Sequence, residues 1–233
     1  MRYDVKTLAI ASEEKVRSED AFLLMALRPI AIYPSVALAN LGVSANAVTY
    51  FNCFVVAFSF LLVLFGFVLT GIFFLYVWQL LDIIDGNIAR LTGVASKLGG
   101  AVDHLTGVHV ASLLPLIFAI QYFIDGGLNS QYFLIAGSAA STIILLLRFC
   151  DFYIVTELNS DHVSTHRTGF TKNRSFFQHA VFLTRQIEFP GGLQIILWTV
   201  AALSNSIHLM IALHCFISIS FYCGYFLILF RRY

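Results

Sequence analysis

From about residue 46 onward, long apolar runs alternate with short polar interruptions. A helix needs about 20 residues to cross the hydrocarbon core of a bilayer. Six runs are read as spans, at roughly 46–67, 68–91, 98–123, 130–156, 189–205 and 206–230. The first two part only near Gly66 to Gly71, and the fifth is short and opens on Pro190-Gly191-Gly192. The stretch 12–41 reads differently, alternating charge with apolar patches. It predicts an interfacial amphipathic helix broken near Arg28-Pro29 and Pro34. A seventh span at 30–45 is disfavoured by its prolines and by the polar "ANLGVSAN".

Composition turns this pattern into a class. Hydrophobic residues make up 59% of the 233, charged residues 12%, and there are 23 Phe. A soluble domain is about half apolar and a quarter charged, so a chain of this size has too little polar surface to be one. The expected fold is all-α and polytopic, with six transmembrane helices after an N-terminal amphipathic interfacial helix. Residues 1–45 form the cytoplasmic N-terminal part and 46–233 the membrane domain, with a loop at about 157–188. The first twenty or so residues are polar and predict no secretory signal peptide. Cys53, Cys150, Cys215 and Cys223 lie in apolar runs without C-x-x-C spacing and read as small buried hydrophobes. The net charge of +1 says nothing about partners, and no nucleic-acid partner is expected.

The placement of charge adds orientation. Of the fourteen Lys and Arg, Arg2, Lys6, Lys15, Arg17 and Arg28 precede the first predicted span. Arg90 and Lys97 lie between the second and third, and Arg167, Lys172, Arg174 and Arg185 between the fourth and fifth. Arg231 and Arg232 follow the sixth, and Arg148 sits inside the fourth towards its basic end. With six spans every basic connection falls on one side, which the positive-inside rule assigns to the cytoplasm together with both termini. The basic, Phe-rich loop at 157–188 reads either as a surface lying on an anionic leaflet or as a lid over an acceptor.

One oily stretch, "LLDIIDGNIARLTGVASKLGGAVDHLTGVHV", carries three aspartates. Asp82 and Asp85 are three apart and share a helical face, near the same membrane side as Asp103 at the start of the next helix. Ionisable groups at such depth are costly and are functional candidates. Arg90 offsets one charge; pairing with Arg90, Lys97 and Arg148 is the plain structural alternative. The remaining carboxylates call for a hard cation such as Mg²⁺, Mn²⁺ or Ca²⁺. Zinc is disfavoured, because His104 and His109 are five apart and do not share a face. Gly86, Gly99 and Gly100 either let a phosphorylated ligand approach the backbone or let helices pack closely. Metal, small residues and arginine together describe a diphosphate site.

Asp82-x2-Asp85-Gly86-x2-Ala89-Arg90-x8-Gly99-x3-Asp103 resembles the signature of the CDP-alcohol phosphotransferases (the CDP-alcohol phosphatidyltransferase family). Upstream, "LGVSANAVTYFN" is similar to that family's entry into its first membrane helix. The resemblance covers most of the chain, though only 82–103 carries the motif. It implies transfer of a phospho-alcohol or phosphatidyl group from a CDP-linked donor, CDP-diacylglycerol or a soluble CDP-alcohol, to an alcohol acceptor. CMP is released, in phospholipid or related glycoconjugate synthesis. It further implies a homodimer in the bilayer with a cytoplasm-facing cavity and two Mg²⁺ or Mn²⁺ sites. Asp82, Asp85 and Asp103 would be metal ligands, and Asp82 and Asp103 would also line the donor site. Gly86, Ala89 and Gly99 would line the nucleotide pocket, with Arg90 in electrostatic support.

The family pattern continues with three residues and a fourth aspartate, the expected general base and a metal ligand. That position is Gly107 here, one turn beyond Asp103. Three readings follow. The chain is an inactive natural or engineered form; or it is an enzyme whose base is His104, His109, Asp151 or the substrate; or it is a non-catalytic protein that binds a CDP-linked molecule or lipid. His104 flanks the site, whereas His109 lies on another face. Arg148 and Asp151, three apart, form a self-satisfied ion pair or contact the donor phosphate or acceptor, with Tyr153 and Glu157 on the same stretch. A metal-ion transporter ranks last, because its acids would lie near the midplane on several helices.

Overall fold

The computed structural model describes residues 3–5, 8, 21–94, 96–157 and 190–232. Five long helices follow one another: α1 (Phe22–Asn40), α2 (Ala45–Leu64), α3 (Val68–Thr92), α4 (Lys97–Ile124) and α5 (Ser130–Glu157). A π-turn, Pro190–Gln194, leads into α6 (Ile195–Leu203), and α7 (Ile207–Arg232) follows. No strand occurs among the described residues. By length and composition α1, α2, α3, α4 and Ser130–Cys150 of α5 are each able to cross a membrane, and Gly192–Leu203 and Ile207–Cys223 are shorter apolar helices. The chain is an all-α polytopic membrane protein, as its hydropathy predicts.

Local chemistry sets the helix ends near the acidic stretch. Ser44 caps α2, its hydroxyl accepting from Ala47 N at 3.2 Å. Ser96 caps α4 in the same way, accepting from Gly99 N at 2.8 Å. Such caps satisfy backbone donors that a helix leaves orphaned at its start. Helix α3 ends at Gly93, whose φ of 67° is the left-handed cap conformation that glycine adopts without strain.

The break expected at Arg28-Pro29 and Pro34 is not there. Both prolines sit inside the single helix α1, which packs against α3. The physical reason is the side its polar residues take. Leu24, Arg28, Ala31, Ser35 and Ala39 form a buried stripe at three- and four-residue spacing, so Arg28 and Ser35 face protein. This helix also has the length and hydropathy of a span. The fifth predicted span differs as well. Among the described residues it is the π-turn, kinked at Gly192, followed by nine helical residues.

Helices α2 and α3 form an antiparallel hairpin whose closest approach is at Gly71. A Cβ there would lie 2.5 Å from Val63 Cγ2, and Ser59 Oγ donates to Gly71 O at 2.7 Å. Helix α4 lies against α2 and α5, and α7 against α4 and α5. The core beneath holds Leu75, Leu114, Phe118, Ile195, Trp198 and Ile211, with Phe118 and Trp198 stacked at 4.2 Å between centroids. Pro115 has no N–H for the carbonyl of Ala111; Gln194 Nε2 donates to that oxygen instead, at 3.2 Å. This bond fixes α6 against the middle of α4.

Candidate functional site

The end of α3 and the start of α4 meet on the side where α1 ends its contact with α3 and α2 begins. Asp82 and Asp85 lie on α3 and Asp103 on α4. Asp85 is buried, while Asp82 and Asp103 are half-buried. The carboxylates of Asp82 and Asp103 face each other within hydrogen-bonding reach, and Asp85 and Arg28 are near enough to Asp82 to act on it electrostatically. Asp85 in turn feels Asp103 and Arg90. Three carboxylates on two helices therefore share one electrostatic site, with an arginine on either flank.

Each acid has its own support. Thr49 Oγ1, on α2, donates to Asp85 Oδ2 at 2.7 Å. Gln79 Nε2, one turn before Asp82, donates to Asp82 Oδ2 at 3.3 Å. Arg90 NH2 donates to Asn87 Oδ1 at 2.7 Å, and Asn87 Nδ2 donates to Ser35 Oγ of α1 at 3.0 Å. That chain of bonds holds Arg90 beside Gly86 and ties α1 to the motif. On the other flank Ser96 Oγ, already the cap of α4, donates to Asn46 Oδ1 of α2 at 2.9 Å. Cys53 and Thr106 also touch across α2 and α4, at 3.4 Å.

The glycines differ in what surrounds them. A Cβ at Gly99 would collide with Asn46 Oδ1 and come to 2.9 Å from Ser96 Oγ. Gly99 is therefore required by the α2–α4 junction itself. At Gly86 the nearest atoms a Cβ would meet are those of the Arg90 guanidinium, at 3.4 Å. At Gly107 it would meet nothing within 4 Å.

A hard cation fits the donor chemistry. Two facing carboxylates need positive charge between them, and two further oxygens, Gln79 Oε1 and Asn52 Oδ1, are buried without a hydrogen-bond partner. Asn52 lies one turn beyond Thr49 on α2. The donors are oxygens throughout, which suits Mg²⁺, Mn²⁺ or Ca²⁺ and not zinc. The three acids do not form a closed cage, because Asp85 is turned to Thr49. Among the described residues no three His, Cys, Asp or Glu side chains converge tightly enough to hold a metal ion.

Residues 42–220 match the family model described as CDP-alcohol phosphatidyltransferase. The chain belongs to that family. Family members are transferases that move phospho-alcohol groups from CDP-alcohols, and they are generally dependent on divalent metal. No curated protein matches the chain.

Set against the CDP-alcohol phosphatidyltransferase motif, Asp82, Asp85, Gly86, Ala89, Arg90, Gly99 and Asp103 fall on the facing ends of α3 and α4. Gly107 lies one turn further along α4 and is half-buried. His104 is exposed and makes no hydrogen bond to the three acids among the described residues; His109 is exposed with Nδ1 2.6 Å from Leu105 O. Arg148 is half-buried near the end of α5. The side chains of Asp151, Tyr153 and Glu157, and the loop at 158–189, lie outside the described residues.

Arg28, Asn46, Thr49, Asn52, Gln79 and Ser96 were not picked out by the motif. A signal for three of them does exist. Asn46, Thr49 and Asn52 recur every third residue in an otherwise apolar helix, and so place polar groups along one face.

Proposed function

We propose that this chain transfers a phospho-alcohol or phosphatidyl group from a CDP-linked donor to an acceptor hydroxyl at the carboxylate site, releasing CMP. The observation that carries the reading is the facing pair Asp82 and Asp103, brought from two helices beside Asp85, Arg28 and Arg90. Carboxylates held this close in a membrane protein serve a cation, and an oxygen-only site beside arginine suits a diphosphate. Asp82, Asp85 and Asp103 would hold the metal, with Mg²⁺ or Mn²⁺ favoured. A bound divalent ion supplies neutralisation of the diphosphate charge and of the departing CMP.

The chain's own residues orient the donor. Gly86 leaves open the space in front of Arg90, so that a phosphate oxygen reaches the guanidinium, and Ala89 continues that face. Gly99 keeps α4 close to α2. In the reaction the acceptor oxygen bonds to the distal phosphorus of the donor. The bond from that phosphorus to the bridging oxygen breaks, CMP departs with the electron pair, and the acceptor hydroxyl loses its proton. Gly107 offers no group for that proton, which leaves His104, Asp151 or a substrate oxygen as the base, and Arg148 to meet a donor phosphate or acceptor anion. The positive-inside pattern supports placing the site and both termini at the cytoplasmic face. A homodimer in the bilayer completes this reading.

One observation favours a second reading. With no side chain at 107, the same fold suits a protein that binds a CDP-alcohol or lipid without turnover. A donor and acceptor screen in detergent, with Mg²⁺ or Mn²⁺ and detection of CMP, decides between them. Turnover by the native chain that Asp103→Asn abolishes supports the transferase. No CMP from any donor, beside activity in Gly107→Asp, supports the binding protein.

A further inference from the structure

At the opposite end of the bundle from the carboxylates, a cavity of about 330 Å³ opens between the α4–α5 and α6–α7 turns. It is lined by Gln121, Tyr122, Asp125, Asn205 and His208, among others. We propose that it binds a small organic ammonium group.

Three observations point there. The first is the buried amide of Gln121. Its Nε2 donates to Asp125 Oδ2 at 2.7 Å, which fixes the orientation of the amide. Its Oε1 is then left buried with no hydrogen-bond partner, on a side chain only 2% exposed. The α2–α3 turn closes over this amide, since a Cβ at Gly66 would lie 3.8 Å from Gln121 Nε2. A buried carbonyl oxygen without a donor is costly and is satisfied by a ligand N–H.

The second is charge. Asp125 is a carboxylate at an end of the molecule whose turns, 65–67, 125–129 and 204–206, contain no Lys or Arg. Among the described residues no Lys or Arg lines the cavity. Asp125 is exposed, so its carboxylate can meet a cation arriving from outside the chain, and the titratable lining beside it is His208.

The third is the wall. The rings of Tyr122 and His208 lie 5.7 Å apart between centroids, and each also packs on Phe133, at 5.5 and 5.6 Å. Aromatic faces attract cations through the ring quadrupole, which for an alkylammonium adds to the attraction of a carboxylate. A bare metal ion fits less well. One oxygen of Asp125 already accepts from the Gln121 amide, and the space is far larger than a dehydrated ion needs. The ammonium chemistry is common to free amines and to the headgroup of an aminophospholipid.

The full chain in nanodiscs tests this by calorimetric titration with ethylammonium and tetramethylammonium, against K⁺ at matched ionic strength and ethanol as a neutral control. Saturable binding of ethylammonium is expected, at least tenfold tighter than K⁺, with tetramethylammonium, which has no N–H for Gln121 Oε1 and relies on Asp125 and the aromatic wall, binding more weakly. It should weaken at least tenfold in Asp125→Asn and stay unchanged in Asp103→Asn. Tyr122→Leu should weaken tetramethylammonium more than ethylammonium, which keeps the test sound if the Asp125 variant folds poorly. A second arm compares thermal unfolding in phosphatidylethanolamine and phosphatidylglycerol nanodiscs. A stabilisation by phosphatidylethanolamine that Asp125→Asn removes assigns the ammonium to lipid. Amine binding without it assigns the ammonium to a free ligand. No binding in either arm, an equal response to K⁺, or loss through Asp103→Asn in place of Asp125→Asn overturns the proposal.

Discussion

Thr49 Oγ1 lies 2.7 Å from Asp85 Oδ2, so a hydroxyl on the first turns of α2 holds a carboxylate near the end of α3. The bond aims Asp85 and ties the hairpin at the level of the site. A hydrogen bond to a charged group contributes about 1.5–3 kcal/mol. Thr49→Val keeps the shape and removes the donor, and is expected to raise the concentration of Mg²⁺ or Mn²⁺ needed for half-maximal CMP release. Thr49→Ser restores it. Equal metal dependence in all three proteins would show that Thr49 serves packing alone.

The two motif glycines are expected to fail in different ways. Alanine at Gly99 meets Asn46 Oδ1 and Ser96 Oγ, both engaged at the α2–α4 junction. Overpacking of this kind costs about 1–3 kcal/mol, so Gly99→Ala lowers the melting temperature. Alanine at Gly86 meets the Arg90 guanidinium first, at 3.4 Å and without a clash under 3.0 Å, so Gly86→Ala melts near the native temperature but raises KM for the CDP-linked donor. Thermal unfolding and donor titration on the two variants check the contrast.

Much of this was legible in the chain, for a physical reason. Apolar run length is fixed by bilayer thickness, so the helices from α2 to α5 stand where hydropathy places them. The acids at 82, 85 and 103 stood out because charge in an apolar run has few structural excuses. The break expected in α1 is absent: Pro29 is exposed and Pro34 half-buried within a continuous helix, and Arg28 lies on its buried stripe. Buried against α3, the same arginine belongs to the site. Thr49, Gln79 and Ser96 escaped notice because a neutral hydroxyl or amide gains its role from a partner on another helix, which no local pattern records.

Metal removal provides a direct test of the three acids. Chelation is expected to abolish CMP release and Mg²⁺ or Mn²⁺ to restore it. Asp82→Asn and Asp103→Asn each take a charge from the facing pair, and a loss of at least about 10²-fold follows if a bound cation stabilises several kcal/mol of developing charge. Calorimetric titration of the metal itself separates lost binding from lost chemistry. Unchanged metal affinity in both variants would remove these residues from the ligand set.

Gly107 gives the most informative variant, because the structure leaves room for it. A Cβ at 107 meets no atom within 4 Å, and the position lies one turn from Asp103 on the half-buried side of α4. Gly107→Asp is therefore expected to fold, and as a helix-interior replacement of glycine it costs no helix propensity. A carboxylate there stands where it can take the proton of an acceptor hydroxyl, an effect of about 10²–10⁴-fold for a well-placed general base. CMP release under single-turnover conditions measures that gain. A rise in rate with little change in donor KM identifies a missing base. A rise carried wholly by tighter metal binding identifies a missing ligand instead. No change in either would show that proton removal in this chain proceeds through another group, and His104→Ala in the native background then tests the nearest one.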